Sequence, residues 1–277
     1  MRKRLLIICL LISMSAVFSV DALERYVPDL HQTFLFKGDK VVELEDDVRI
    51  ESLEAADYRV LISDSEQIGK YSLLQNELGE TPVYCIDSGL PGATMYVVAG
   101  THGDERAAWY AASLLAGSRI DAGKLYVLPQ ANILGCEQDI RTVDGSSDLN
   151  RAYPGNAEGD VTQRLANAIF KDIQRVQPDL LIDLHEAAFY SSHLDFMGNK
   201  LIFTNLDGIE TLFFNLLSLE REDGLGQAPF DAVSPGIAAS LNRVATELLH
   251  VPVITVETFR GFSLSQRIQD QVDVVLY

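Results

Sequence analysis

The sequence predicts an α/β fold: a mostly parallel sheet covered by helices on both faces. Two observations carry that prediction. From about residue 58 onward, short β-rich apolar runs alternate with segments of helical periodicity. Several runs, Leu180–Leu184 and Val251–Val256 among them, are apolar almost throughout, as strands buried on both faces are. A share of 47% hydrophobic residues in 277 is ample for one well-buried core, and 22% charged residues is an ordinary globular share.

The elements follow in chain order. Met1-Arg2-Lys3-Arg4 is a basic opening, Leu5 to Val20 is uncharged and apolar, and Val20-Asp21-Ala22 offers small residues for cleavage. Residues 1–22 are therefore expected to be a signal peptide and the protein to be exported, either secreted or held in the periplasm or cell envelope. The alternative is an uncleaved signal anchor, although the run is short for a spanning helix. Residues 23–57 are acidic and weakly patterned, an N-terminal extension, and residues 58–277 form one catalytic domain.

Tyr58–Ile62, Pro82–Asp87 and Thr94–Ala99 read as strands, the last two joined by the Gly/Pro-rich turn at residues 88–93. Asp104–Leu115 reads as a helix and Lys124–Leu128 as a strand. Residues 130–160 are polar and without a clear period, a length of loop that usually serves function. Thr162–Val176 is a helix stopped by Pro178, Leu180–Leu184 and Leu201–Thr204 are strands, and Leu206–Leu219 is a helix. Pro235–Leu249 reads as a helix with proline at its start, Val251–Val256 as a strand and Ser263–Val275 as a closing helix.

The formal net charge of -18 argues against nucleic acid or an anionic membrane as partner; no membrane contact beyond the leader is expected. Cys85 and Cys136 suit an oxidising compartment and form either one disulfide or two separate thiols.

Three apolar strands each run into an acid or an imidazole. Tyr96-Val97-Val98-Ala99 leads to Gly100-Thr101-His102-Gly103-Asp104-Glu105, Leu180–Leu184 leads to His185, and Val253–Val256 leads to Glu257. Ligands in open α/β sheets bind at the carboxyl edge of the parallel strands. Two imidazoles and one carboxylate, with a position left for water, make a catalytic zinc set. His102 and Glu105 stand three apart at a helix start, so both can reach one ion. Gly100 and Gly103 allow a sharp turn and close backbone approach. In the long loop, Arg141, Asn150 and Arg151 are donors able to hold a substrate carboxylate. Asp148 and Asp183 are candidate partners for the ligating histidines. His31 and His250 have no constellation around them, and His193, in the polar stretch after His185, reads as a surface or pocket-wall histidine rather than a ligand.

Gly-Thr-His-Gly-Asp-Glu, Asp-Leu-Asn-Arg-Ala-Tyr-Pro-Gly, Asp-Leu-His and Val-Glu, in that order, resemble the zinc carboxypeptidase superfamily, in particular its succinylglutamate desuccinylase/aspartoacylase branch, over roughly residues 80 to 260. The resemblance implies an α/β/α sandwich around a mixed, mostly parallel sheet. It implies one Zn²⁺ ion held by His102, Glu105 and His185, with Glu257 as general base and Arg141 as the group that polarises the scissile carbonyl. Asn150 and Arg151 match the pair that holds a substrate carboxylate. Those enzymes carry a β-rich domain after the catalytic glutamate. This chain runs only to Tyr277, so a more open pocket is expected. A tyrosine closing over substrate is not assigned, with Tyr153, Tyr190 and Tyr277 as candidates. The activity so implied is hydrolysis of an amide beside a carboxylate-bearing group, in a small acylated amino acid or a peptide. A carboxypeptidase acting on cell-wall or extracellular peptides is the nearest alternative. A secreted binding protein that keeps the metal without catalysis is another.

Overall fold

The computed structural model describes residues 33–37, 40–44, 68–143, 145–188, 199–218 and 230–277. The leader 1–22, most of the 23–57 extension, the Tyr58–Ile62 strand, His31, Tyr190 and His193 lie outside the described residues. Within the extension, β1 (Thr33–Lys37) and β2 (Lys40–Leu44) form an antiparallel pair that the sequence reading did not anticipate.

The remaining strands are β3 (Ile68–Leu73), β4 (Thr81–Asp87), β5 (Thr94–Val98), β6 (Lys124–Leu128), β7 (Leu180–Ala187), β8 (Lys200–Phe203), β9 (Asp231–Val233) and β10 (Val253–Phe259). They make one eight-stranded sheet in the order β3-β4-β6-β5-β7-β10-β8-β9. Its centre, β6-β5-β7-β10, is parallel, as is β8 beside β9. The β3/β4, β4/β6 and β10/β8 pairs are antiparallel, so the sheet is mixed.

Helices α1 (Arg106–Ala116), α2 (Ile133–Gln138), α3 (Val161–Val176), α4 (Glu210–Leu217), α5 (Leu241–Leu249) and α6 (Leu264–Leu276) connect and cover the strands. Strand alternation sorts the core into two layers. Val97, Ile182, Leu184, Ile254 and Val256 face α1 and α6, whereas Tyr96, Val98, Leu181 and Val253 face α3 and α5. This is the expected α/β/α arrangement. Among the described residues, no helix is long and apolar enough to cross a membrane.

The boundaries differ from expectation in informative ways. β7 and β10 do not stop at Leu184 and Val256; they run on to Ala187 and Phe259, so His185 and Glu257 lie inside strands. Residues 235–240 are not helical. α5 begins at Leu241, where the Ser240 side chain accepts from the Arg243 N–H and caps it. β3 was not expected, because its IGKYSL sequence is only partly buried and lacks a continuous apolar signature. The long 130–160 segment contains α2 and a 3₁₀ turn at Leu149–Arg151. Cys85 and Cys136 are both free thiols.

Candidate metal centre

Strand order brings the site together. β5 and β10 flank β7 on either side, so the turn leaving β5, the end of β7 and the end of β10 share one edge of the sheet. In the β7/β10 ladder His185 is paired directly with Glu257, and neighbours in register point to the same face.

The turn from β5 to α1 carries His102 and Glu105. It has no room for side chains at its glycines. Gly100 sits at φ +65°. A Cβ on Gly103 would lie 2.0 Å from the Gly135 carbonyl carbon in α2, so only glycine permits that approach.

His102, Glu105 and His185 are all buried, and one ligand-capable atom from each falls within 4.8 Å of the others. Glu105 sits between the rings: Oε1 is 2.7 Å from His102 Nδ1 and Oε2 is 2.8 Å from His185 Nδ1. The opposite ring nitrogens face two aspartates. His102 Nε2 is 3.0 Å from Asp148 Oδ1, and His185 Nε2 is 3.1 Å from Asp183 Oδ1. Each imidazole thus turns Nδ1 inward and Nε2 towards a carboxylate; His102 Nε2 is hydrogen-bonded to Asp148, the outer support that ligating histidines generally have, whereas His185 Nε2 approaches Asp183 without a hydrogen bond.

The donor set fits a divalent ion of zinc type. Two imidazoles and a carboxylate are borderline-soft nitrogen and hard oxygen donors, and three protein ligands leave a coordination position open. Burial pulls both imidazoles towards the neutral form, but the carboxylates around them win. Glu105 and Asp148 raise His102, and Asp183 and Glu105 raise His185. Burial pushes Glu105 up, yet the two histidines hold it well below the usual carboxylate range. Without an ion the cluster's carboxylates are compensated by protons on the imidazoles and by the guanidiniums of Arg141 and Arg260.

Glu257 behaves differently. Burial lifts its pKa to about 7, with His185 opposing and Glu105 adding to the rise, and its Oε2 is enclosed without a hydrogen-bond partner among the described residues. A carboxyl of that pKa beside an electrophilic site is poised for proton transfer at neutral pH.

Arg141 reaches the cluster from the loop, 3.4 Å from Glu105 Oε1 and 3.1 Å from Asp148 Oδ2, with nearly half its side chain exposed. Asn150 is partly buried, and its Oδ1 accepts from the Leu241 N–H, leaving its Nδ2 as the free donor. Arg151 is exposed and donates to the Asn150 carbonyl. Tyr153 is buried at 3% exposure beneath the loop and cannot swing over a substrate.

One residue beside the cluster, Arg260, escaped the sequence reading. Arg260, at the end of β10, donates to Asp104 Oδ2 at 3.0 Å and comes within 4.0 Å of Glu105 Oε1. Glu186 points away from the cluster, as strand alternation required, and accepts from the Ala107 N–H on the far face. His250 is an exposed residue ending α5, with no role in the cluster.

A mixed eight-stranded sheet with His₂Glu at its carboxyl edge defines a zinc carboxypeptidase-like architecture, and comparison with known proteins agrees. Residues 91–202 match the family model for the succinylglutamate desuccinylase/aspartoacylase catalytic domain, which bears out the resemblance read from the motifs. Over 110 residues the chain is 34% identical to N-alpha-acetyl-L-2,4-diaminobutyric acid deacetylase from Halomonas elongata, a match spanning 38% of this chain and 31% of that relative. Among solved structures, the ectoine utilization protein EutE from Ruegeria pomeroyi has a similar fold: TM-score 0.57 and 17% identity, covering 75% of this chain and 66% of that one. So does the murein-tripeptide amidase MpaA from Escherichia coli O157: TM-score 0.53 and 14% identity, covering 75% of this chain and 90% of that one.

Proposed function

We propose that this chain is an exported, zinc-dependent hydrolase of the N-acyl amino acid deacylase type, cleaving an amide beside a carboxylate-bearing group. The observation that carries the reading is the buried His102–Glu105–His185 cluster with Glu257 paired in register beside it. The deacetylase relative supports the deacylase type, and the basic-then-apolar opening of the sequence supports export.

His102, Glu105 and His185 would hold a divalent ion, which would supply a Lewis acid and lower the pKa of a bound water to about 7. Glu257 accepts the proton of the attacking water on its unpartnered oxygen and later returns it to the leaving nitrogen. Arg141 donates to the carbonyl oxygen as negative charge grows there, exchanging its contacts with Glu105 and Asp148 for the substrate. Asn150, its oxygen already committed to Leu241, offers Nδ2 to a substrate carboxylate, and the exposed Arg151 guanidinium supplies the charge.

The second reading is a peptidase or amidase acting on cell-wall or extracellular peptides. It is favoured by the fold match that takes in 90% of the murein-tripeptide amidase.

The test is metal content, and release of free amine from a panel of N-acyl amino acids and short peptides, before and after chelation. The deacylase reading expects about one ion per chain, turnover of acyl amino acids in preference to peptides, and loss of turnover on chelation with recovery on adding zinc. Turnover of peptides alone moves the assignment to the second reading. An ion bound with no turnover of any panel member would make the chain a binding protein.

A further inference from the structure

We propose that the C-terminal helix α6 positions the site from behind the sheet, with Gln271 and Arg267 as positioning residues. Gln271 is fully buried, and its Nε2 donates to two acceptors: the His185 carbonyl oxygen at 3.0 Å and Thr258 Oγ1 at 2.8 Å. Thr258 directly follows Glu257. One amide therefore bridges the backbone of a proposed ligand and the neighbour of the proposed base, across the β7/β10 ladder.

One turn earlier on the same helix face, the Arg267 guanidinium pairs with Glu186 Oε1. The other oxygen of Glu186 accepts from the Ala107 N–H at 2.9 Å, in the first turn of α1 and two residues past Glu105. Gln271 thus reaches the His185 carbonyl and the Thr258 hydroxyl directly, and Arg267 reaches the Ala107 N–H through Glu186, each point within two residues of Glu105, His185 or Glu257. By strand alternation the Glu186 and Thr258 side chains lie on the face of the sheet opposite those of His185 and Glu257.

Packing alone does not call for this arrangement. α6 already buries Ile268, Val272, Val274 and Val275 against the sheet, and an apolar residue at 271 would fill the same space without an amide to desolvate. What the polar pair adds is a fixed direction for the strand ends, beyond their ladder hydrogen bonds and the bond from the Phe259 N–H to Asn199 Oδ1. A shift of about 1 Å there would misplace the reacting groups.

The catalytic and metal readouts of the test rest on the proposed function; the exchange readout does not. Gln271→Met keeps the volume and removes the donor, and Arg267→Lys keeps a charge on Glu186. In metal-free protein, Gln271→Met is expected to speed amide exchange at residues 185–187 and 257–259 at least tenfold, with α3, β5 and β6 unchanged. Zinc affinity, measured by competition with a chromophoric chelator, is expected to fall ten- to a hundredfold, the range seen when an outer partner of a ligand is lost. kcat should fall with KM unchanged, and Arg267→Lys should stay within about threefold of wild type. Unchanged local exchange with zinc affinity within twofold of wild type overturns the proposal, and so does faster exchange spread uniformly over the sheet. If the wild type itself holds no metal while Gln271→Met still loosens those strand ends alone, the hydrolase reading fails and the positioning by α6 stands.

Discussion

The two walls of the site differ in how they are held. On the sheet side, His102, Glu105 and His185 are each no more than 3% exposed, locked by one another and by Asp148, with Asp183 in ion-pair contact behind His185. On the loop side, Arg141 and Arg151 are exposed; Arg141 leans on Glu105 and Asp148, and Asn150 is held by its bond to the Leu241 N–H. One wall is prearranged to hold charge and the other is free to meet a substrate. The difference teaches that ion binding and substrate recognition should be separable by mutation.

The largest expected effect falls on the sheet side. Glu257→Gln should keep the metal and lower kcat by about 10²–10⁴, the usual contribution of a positioned proton-transfer group. Single-turnover assays with metal analysis check it, and wild-type turnover would remove Glu257 from its role. Next, Asp148→Asn leaves His102 Nε2 with a weaker partner. It should weaken zinc binding about 10–100-fold by chelator competition, and an unchanged affinity would break the claim that the aspartate supports the ligand.

A pH comparison sharpens the contrast further. In metal-free protein both imidazoles titrate above 6.5, so the stability they add is complete below that value and fades as pH rises through their folded pKa values. Glu257, raised from 4.5 to about 7, acts in the same direction over that interval. The metal-free Tm should therefore fall between pH 5 and pH 8. With zinc at fixed free concentration it should rise, because the ion needs deprotonated imidazoles. Scanning calorimetry reads both curves, and parallel curves would contradict the cluster's role.

The smallest effect on the fold belongs to the loop side. Arg151→Ala should leave zinc affinity and Tm close to wild type, since surface substitutions stay within about ±0.5 kcal/mol, while raising KM for carboxylate-bearing substrates. An unchanged KM would remove it from recognition.

Much of the sheet side was legible because its chemistry is local in sequence. His102 and Glu105 sit three apart on a glycine-flanked turn, and His185 and Glu257 each follow an apolar run. The same logic set the strand ends too early: a polar residue in an apolar run reads as its end, yet His185 and Glu257 continue β7 and β10 because the site shelters them. The start of α5 was misplaced because Pro235 reads as a helix opening, whereas the chain caps at Ser240. Arg260, Arg267 and Gln271 were not legible at all. On an amphipathic helix or a strand end such residues read as solvated, and only the packing of α6 against β7 and β10 shows where Gln271 and Arg267 point.

The most direct measurement is anomalous diffraction at the zinc edge from zinc-loaded crystals. The account predicts one strong peak at about 2.0–2.2 Å from a nitrogen of His102, a nitrogen of His185 and an oxygen of Glu105. A peak coordinated by other residues, or none at full zinc occupancy in solution, would contradict it.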